Sequence, residues 1–547
     1  MEKKPVIYQL FPRWYTNMNE HCVPGGSLTQ NGVGKLNDIT ARELKSLKAL
    51  SVTHVWYTGI IEQATQSDFS AYGIAPSNRH VVKGVAGSPY AIRDYYDVSP
   101  ELAVDVPRRM QEFEALVERT HHAGLRVIID FVPNHVARQY CSDSKPYNVH
   151  DLGEGDDETK FFDANNNFYY LAGQPFRPDF DMGQGDDAYY EYPARATGND
   201  CFNAAPSRND WYETVKLNYG VDPWNGQHHF SPTPDTWHKM LDIVLFWASK
   251  GIDGFRCDMA HMVPVEFWQW AIGKVKEQHP HIIFIAEIYD TRLYHDYIDR
   301  GGFDYLYDKV TLYDTLINVL NHNTSTQAIS ACWQTVNDIQ DHMLNFLENH
   351  DEVRLASAQC CGDAMKARPA LVVSALLTRC PFMLYAGQEL GEPAADAEGY
   401  SGLDGRTTIF DYWSVPTLRK WLSRKTLNGR HKLRDYYKRV LAIAQSTAVS
   451  QGMLHDLMYA NPQCDRQYMF LRHIAGETLL VAANFAAEPV TVGVRIPHHA
   501  FDHLGLTSGD TSWQELLHGG NMQCHLEPDG TVSLDIDAHD AVVWKLS

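Results

Sequence analysis

The sequence predicts an α/β protein: a (β/α)8 TIM barrel, interrupted by an inserted domain after its third strand and followed by a C-terminal antiparallel β-domain. Three observations carry this reading. Short apolar runs recur through residues 6–385 and alternate with helical patterning. More than a hundred residues, rich in Asp, Asn, Gly, Pro and Tyr, separate the third run from the next helix. Past about residue 455 the apolar period changes from helical to two.

The elements follow in order. Val6–Phe11 and His54–Tyr57 are the first two runs. Met110, Phe113, Leu116 and Val117 lie at helical spacing, and Gly124 supplies the stop. Arg126–Phe131 is the third run; Val127, Ile128 and Ile129 suit a strand buried on both faces, as in a parallel sheet. The remaining strands are expected at Gly254–Cys257, Ile282–Glu287, Phe303–Leu306, Met343–Leu347 and Phe382–Tyr385. A helix carrying Leu433, Tyr436, Tyr437, Val440 and Leu441 closes the barrel. Leu479, Val481, Ala483 and Phe485 then alternate, as do Val490–Ile496 and Val532–Ile536, predicting half-exposed strands. The division that follows is 1–135 and 231–455 for the barrel, 136–230 for the insertion and 456–547 for the β-domain.

Composition narrows the partners. With 44% hydrophobic and 21% charged residues the chain is neither disordered, collagen-like nor coiled coil. A formal charge of −21 argues against nucleic acid or an anionic membrane as partner. No stretch approaches the length of a membrane-spanning helix, and the first residues lack a signal-peptide pattern. The ten cysteines are scattered without metal-ligand spacing and read as free thiols. A cytoplasmic location is expected; nothing in the sequence fixes an oligomeric state.

In a barrel, catalytic side chains sit at the C-terminal ends of strands. Four expected strands end in charged residues that a buried strand otherwise avoids. The third ends in Asp130, with Asn134 and His135 beyond it; the fourth carries Arg256 and Asp258 on one face; the fifth ends in Glu287; the seventh runs into Asn349, His350 and Asp351. Asp258 and Glu287 are one βα unit apart, so they face each other at one level. Two facing carboxylates equip a site for glycoside hydrolysis, one attacking the anomeric carbon and one protonating the leaving oxygen. Arg256 is expected to hold Asp258 ionised, and the charge of Asp258 to keep Glu287 protonated. Asp351 is a third carboxylate, suited to sugar hydroxyls or to positive charge in the transition state.

These motifs resemble the α-amylase family of glycoside hydrolases from end to end. Asp130-Phe-Val-Pro-Asn-His135, Gly254-Phe-Arg-Cys-Asp258, Ile285-Ala-Glu287 and Asn349-His-Asp351 look like its four conserved regions in order. The resemblance implies a retaining hydrolase of α-glucans or maltooligosaccharides, with Asp258 as nucleophile, Glu287 as acid/base and Asp351 as transition-state stabiliser. It equally admits a 4-α-glucanotransferase or maltosyltransferase working through the same covalent intermediate. It implies substrate contacts from Tyr90, Asp130, His135, Arg256, His261, His350 and Arg354. His261 and Met262 stand where many α-amylases have Lys-His, so the acceptor side departs from the usual pattern. Lys216-Leu217-Asn218 resembles the fifth region of the neopullulanase branch. No cofactor is implied as a requirement. The family's usual calcium, between barrel and insertion, would find Asn134 as one ligand. Lys216 falls where an aspartate often binds that ion, and an ammonium cannot ligate a cation. The expectation is therefore that Lys216 replaces the calcium. The stretch Asp163–Asn167 begins like a calcium loop but has Phe168 and Gln174 at the positions that need glycine and glutamate.

Overall fold

The computed structural model describes residues 3–400, 402–423 and 430–546, without the side chains of 430 and 431. Eight parallel strands close into a barrel: β1 (Val6–Leu10), β2 (His54–Tyr57), β3 (Arg126–Phe131), β4 (Gly254–Cys257), β5 (Ile283–Ala286), β6 (Tyr305–Tyr307), β7 (Met343–Phe346) and β8 (Phe382–Tyr385). Neighbours in space are neighbours in sequence all the way round, and β8 returns to β1 with Val6 opposite Phe382. Ile7, Trp56, Ile128, Ile285, Leu344 and Met383 fill the interior, so the barrel is a packed core rather than a pore. Alternate residues such as Val55, Ile129 and Phe255 join the larger core shared with the helices.

The helices have local causes. α1 (Ala41–Lys48) opens with a reciprocal capping box between Thr40 and Glu43. α2 (Arg109–His122) buries Phe113, Leu116 and Val117, as the spacing predicts, and Gly124 beyond its end takes φ 72°. α3 (Asp235–Ala248) and α4 (Val265–Gln278) flank β4. The crossover after β5 holds only a 3-10 turn, Thr291–Leu293, and a π turn, Asp296–Arg300. α5 (Asp314–Leu320), α6 (Gln327–Thr335), α7 (Arg368–Leu376) and α8 (Arg430–Ala444) complete the ring.

Two features above the barrel position the site. After β2 a short strand, Ile61–Gln63, pairs antiparallel with Ile92–Val98. After β3, His135–Ala137 pairs antiparallel with Thr214–Lys216, with His135 opposite Lys216. The long insertion thus leaves and returns on one ribbon, and the Leu217 amide donates to the Asn134 carbonyl at 3.0 Å.

The C-terminal region forms a six-stranded antiparallel sheet and a separate two-stranded pair. In chain order these are β9 (Met453–Asp456), β10 (Gln467–Ile474), β11 (Glu477–Asn484), β12 (Val490–Arg495), β13 (Gly509–Glu515), β14 (Asn521–Leu526), β15 (Thr531–Ile536) and β16 (Asp540–Leu546). The sheet runs β9-β10-β11-β16-β13-β14, and β12 pairs with β15. β12 and β15 alternate between buried and exposed as their period predicts. β11 does not: Thr478 to Asn484 are all buried, because α7 packs over this part of the sheet.

Candidate active site

The ladder between β4 and β5 pairs Cys257 with Ala286, so the next residues, Asp258 and Glu287, leave the barrel at one height. The Asp258 amide donates to the Phe131 carbonyl at 2.9 Å, and that of Glu287 to Cys257 at 3.1 Å. Arg256, two residues before Asp258, points to the same side. Its Nη1 donates to Asp258 Oδ1 at 2.9 Å. Its Nη2 lies 2.7 Å from Glu287 Oε2, off the N–H axis, as an ion pair rather than a hydrogen bond. Nε donates to the Tyr307 hydroxyl at 3.1 Å. The guanidinium sits 5.3 Å from the ring centres of Trp56, Tyr90 and Tyr307. It is fully buried, and the two carboxylates and three ring faces offset its lost hydration.

This geometry revises one expectation. Arg256 serves both carboxylates, so it does not by itself hold Asp258 ionised. Burial, followed by the charge of Glu287, raises the Asp258 carboxyl well above the ordinary aspartate range. Glu287 Oε1 accepts from the Tyr289 hydroxyl at 2.5 Å, and its Oε2 from the Met259 amide at 2.9 Å. Met259 adopts φ 43°, left-handed for a residue with a side chain, directly after Asp258. The turn aims its N–H at Glu287.

Asp351 faces the same space. Burial opposes its ionisation, but His350, 3.0 Å away, together with Arg256 and Tyr400, holds it down to about 2. Tyr400 donates to Asp351 Oδ1 at 3.1 Å. His350 is fixed on both nitrogens: Nδ1 meets the Gln9 amide nitrogen at 2.8 Å and Nε2 the Tyr90 hydroxyl at 2.6 Å. Tyr90 also stacks on the His350 ring at 5.1 Å. Asp130 accepts from the Trp56 indole at 2.9 Å and stands 3.5 Å from Arg256. His135 packs against Trp211 with ring centres 5.2 Å apart. Burial, then Lys216, pushes its imidazole down to about 3, so it is neutral under ordinary conditions.

A cavity of about 410 Å³ gathers these groups; Tyr90, His135, Asp258, Glu287 and Asp351 all line it. Asp130, Arg256 and His350 stand behind that wall and hold the lining side chains. Those three, expected as substrate contacts, thus act from behind the lining, and two more expected contacts, Arg354 and His261, lie apart from it. Arg354 is fully buried, paired with Glu348 at 3.0 Å, bonded to the Ala386 carbonyl and stacked on Tyr385. It braces the loops after β7 and β8. His261 lines a neighbouring cavity on the far side of Tyr289, its ring centre 6.3 Å from that ring. The walls also include residues the sequence reading did not single out: Lys83, Trp211, Glu213, Tyr289, Tyr400 and Phe410. Tyr289 alone carried a signal, two residues beyond Glu287 on an extended chain and so on the same side. The others come from long loops without periodicity.

At the junction of barrel and insertion, the donor set does not fit a calcium ion. The Lys216 ammonium is buried there, bonded to Asn134 Oδ1, 3.2 Å from the Met262 carbonyl and 2.8 Å from Asp200 Oδ1. The amide nitrogen of Asn134 donates to the Gly198 carbonyl at 2.7 Å. The oxygens that a cation would take already face an ammonium. In the stretch Asp163–Asn167, Asp163 pairs with Lys160 and accepts from the Asn165 amide, while Asn167 turns toward α3. Those groups do not converge on one point.

A family model described as the α-amylase catalytic domain matches residues 9–409. The chain is 26% identical over 321 residues to an α-1,4-glucan:maltose-1-phosphate maltosyltransferase of Cereibacter sphaeroides, covering 57% of this chain but only 43% of that protein. It is 21% identical over 531 residues to neopullulanase 2 of Thermoactinomyces vulgaris, covering 94% of this chain and 74% of that one. In fold it matches a maltogenic α-amylase of Thermotoga neapolitana with a TM-score of 0.63 at 18% identity, across 99% of this chain and 98% of the other.

Proposed function

The chain belongs to the α-amylase family, and on that footing we propose that it is a retaining glycoside hydrolase of α-glucosidic bonds, mainly α-1,4, in maltooligosaccharides or α-glucans. One observation carries the reading: Asp258 and Glu287 leave adjacent strands at one height, share Arg256, and open with Asp351 into a single cavity. The Asp258 carboxylate attacks the anomeric carbon, the glycosidic C–O bond breaks, and Glu287 gives its proton to the leaving oxygen. Glu287 then takes a proton from water as that water displaces Asp258, so the anomeric configuration is restored. Asp351, kept ionised beside His350, stabilises the oxocarbenium-like sugar. Tyr90 and His135 offer a stacking face and a neutral imidazole to that sugar.

The maltosyltransferase relative supports a second reading, in which a sugar hydroxyl replaces water in the second step. The products from maltotriose separate the two: longer oligomers mean transfer. The main reading is tested with Glu287→Gln. Its loss of rate on a maltooligosaccharide should be severe, and much smaller on a glycosyl fluoride, whose leaving group needs no proton. Equal losses on both would remove Glu287 from the acid role.

No metal is proposed at the barrel–insertion junction, where Lys216 stands in for it. No helix among the described residues is long and apolar enough to cross a membrane. The ten cysteines are all unpaired, which supports a reducing, cytoplasmic location.

A further inference from the structure

Above β2, the pairing of Ile61–Gln63 with Ile92–Val98 gathers three carboxylates that the reaction does not use. Oxygens of Glu62, Asp94 and Asp97 lie within 4.8 Å of one another, and these residues are only 2, 0 and 3% exposed. The register sets Glu62 opposite Asp94, with a break in the ladder on either side. Like charges this close, away from water, persist only with compensation.

Two of the three are well supplied with donors. Asp94 accepts from the Ser142 hydroxyl at 2.6 Å and from the amides of Tyr96, Asp143 and Ser144 at 2.8, 2.8 and 3.0 Å. Asp97 takes the Arg109 guanidinium, the Ser144 hydroxyl at 2.5 Å and the Val98 amide at 2.7 Å. Glu62 has none: both of its oxygens are buried without a hydrogen-bond partner, and one of them faces the other two carboxylates. Such a group is a strong departure from the rule that buried polar atoms are satisfied. The charges do not close either. Arg109 answers Asp97, and Arg93 answers Asp143 at 3.1 Å. With every carboxyl ionised, four carboxylates against two guanidiniums leave two negative charges over; without a cation, burial and then Asp94 and Asp97 push the Glu62 carboxyl up to about 9, so that a proton takes one of them.

We propose that Glu62, Asp94 and Asp97 bind a calcium ion. The ligands are all oxygen, which selects a hard cation, and the residual charge of two selects a divalent one. Magnesium demands a near-ideal octahedron and keeps several of its waters, whereas calcium accepts an irregular set of protein oxygens such as these three buried carboxylates. The ion would tie Glu62 to the strand that follows Tyr90 and, through Asp94, to Ser142–Ser144 at the start of the insertion. It would thereby hold one wall of the catalytic cavity against the first turn of the inserted segment. This inference rests on neither the catalytic assignment nor the reading of Lys216.

The test uses the full chain, stripped with EDTA, exchanged into calcium-free buffer and titrated with calcium chloride by calorimetry. Bound metal is then measured after gel filtration. Wild type should take up about one calcium per chain, and its Tm should rise with calcium concentration. Glu62→Gln is isosteric and removes no protein hydrogen bond. It should weaken binding roughly tenfold or more, as should Asp94→Asn, while Glu62→Gln in EDTA melts no lower than wild type in EDTA. A wild type that binds no calcium overturns the proposal. So does binding undiminished in Glu62→Gln; if that binding is instead lost in Asn134→Ala, the ion sits at the junction and the reading of Lys216 falls with it.

Discussion

Exchange of Arg256 for Met keeps much of the volume but leaves Asp258 and Glu287 buried without their shared counter-charge. Breaking a buried pair in this way costs about 3–5 kcal/mol, so Arg256→Met should unfold at markedly lower urea and lose activity. A loss below about 1 kcal/mol would mean that the carboxyls simply take up protons and the ring faces hold the fold. The raised Asp258 carboxyl sets a second expectation. It must be ionised to attack, so kcat/KM should fall on the acid side at a pH well above the ordinary aspartate value of 3.8. The folded-state value exceeds the unfolded one, so ionising Asp258 opposes folding, and stability should fall as pH rises through that interval. Asp351 has the opposite sign: held at about 2, it contributes stability above the ordinary aspartate range that is lost as pH falls toward its folded value. The three carboxylates were legible in the sequence because a charged residue at the end of an apolar strand is chemically out of place. Trp211, Glu213 and Tyr400 were not, since a loop residue reaches the cavity only through the path of its loop.

Lys216 shows what an element can do with one charge. The ribbon His135–Ala137 with Thr214–Lys216 brings its ammonium against three oxygens from barrel and insertion. Lys216→Met should loosen that junction, lowering Tm and raising KM more than it lowers kcat, and calcium should not rescue it. Restoration of both by calcium would show that the lysine only competes with an ion. The positions of all eight barrel strands were legible from their short apolar runs, within a residue or two. Two elements were read less well, for physical reasons. β11 reads as half exposed, because alternation in the sequence cannot report that α7 covers its second face. Ile92–Val98 carries Arg93, Asp94 and Asp97 in a fully buried strand, and polar groups that are satisfied only by distant partners leave no apolar period to detect.

For the whole molecule, the terminal sheet is part of the core. β11 packs on α7, and the buried Arg472 of β10 donates to the Leu377 carbonyl at 2.9 Å and to three carbonyls of residues 448–452. A chain ending at 455 should therefore expose an apolar helix face, bind a hydrophobic dye and aggregate on warming. A monomeric truncation with the Tm and rate of wild type would make the sheet a separable module. Closure of the barrel has a consequence in time. β1 pairs with β8 across roughly 375 residues of chain. At about 5–20 residues per second, a ribosome takes roughly 20–75 s to supply that partner. Through this interval β1 has one open edge, and each newly made strand supplies the other. The strands are short, at most six residues, which limits how far a wrong partner can zip along either edge. The nascent chain is thus a growing sheet with two exposed margins, and the last seam to form joins the oldest strand to the newest.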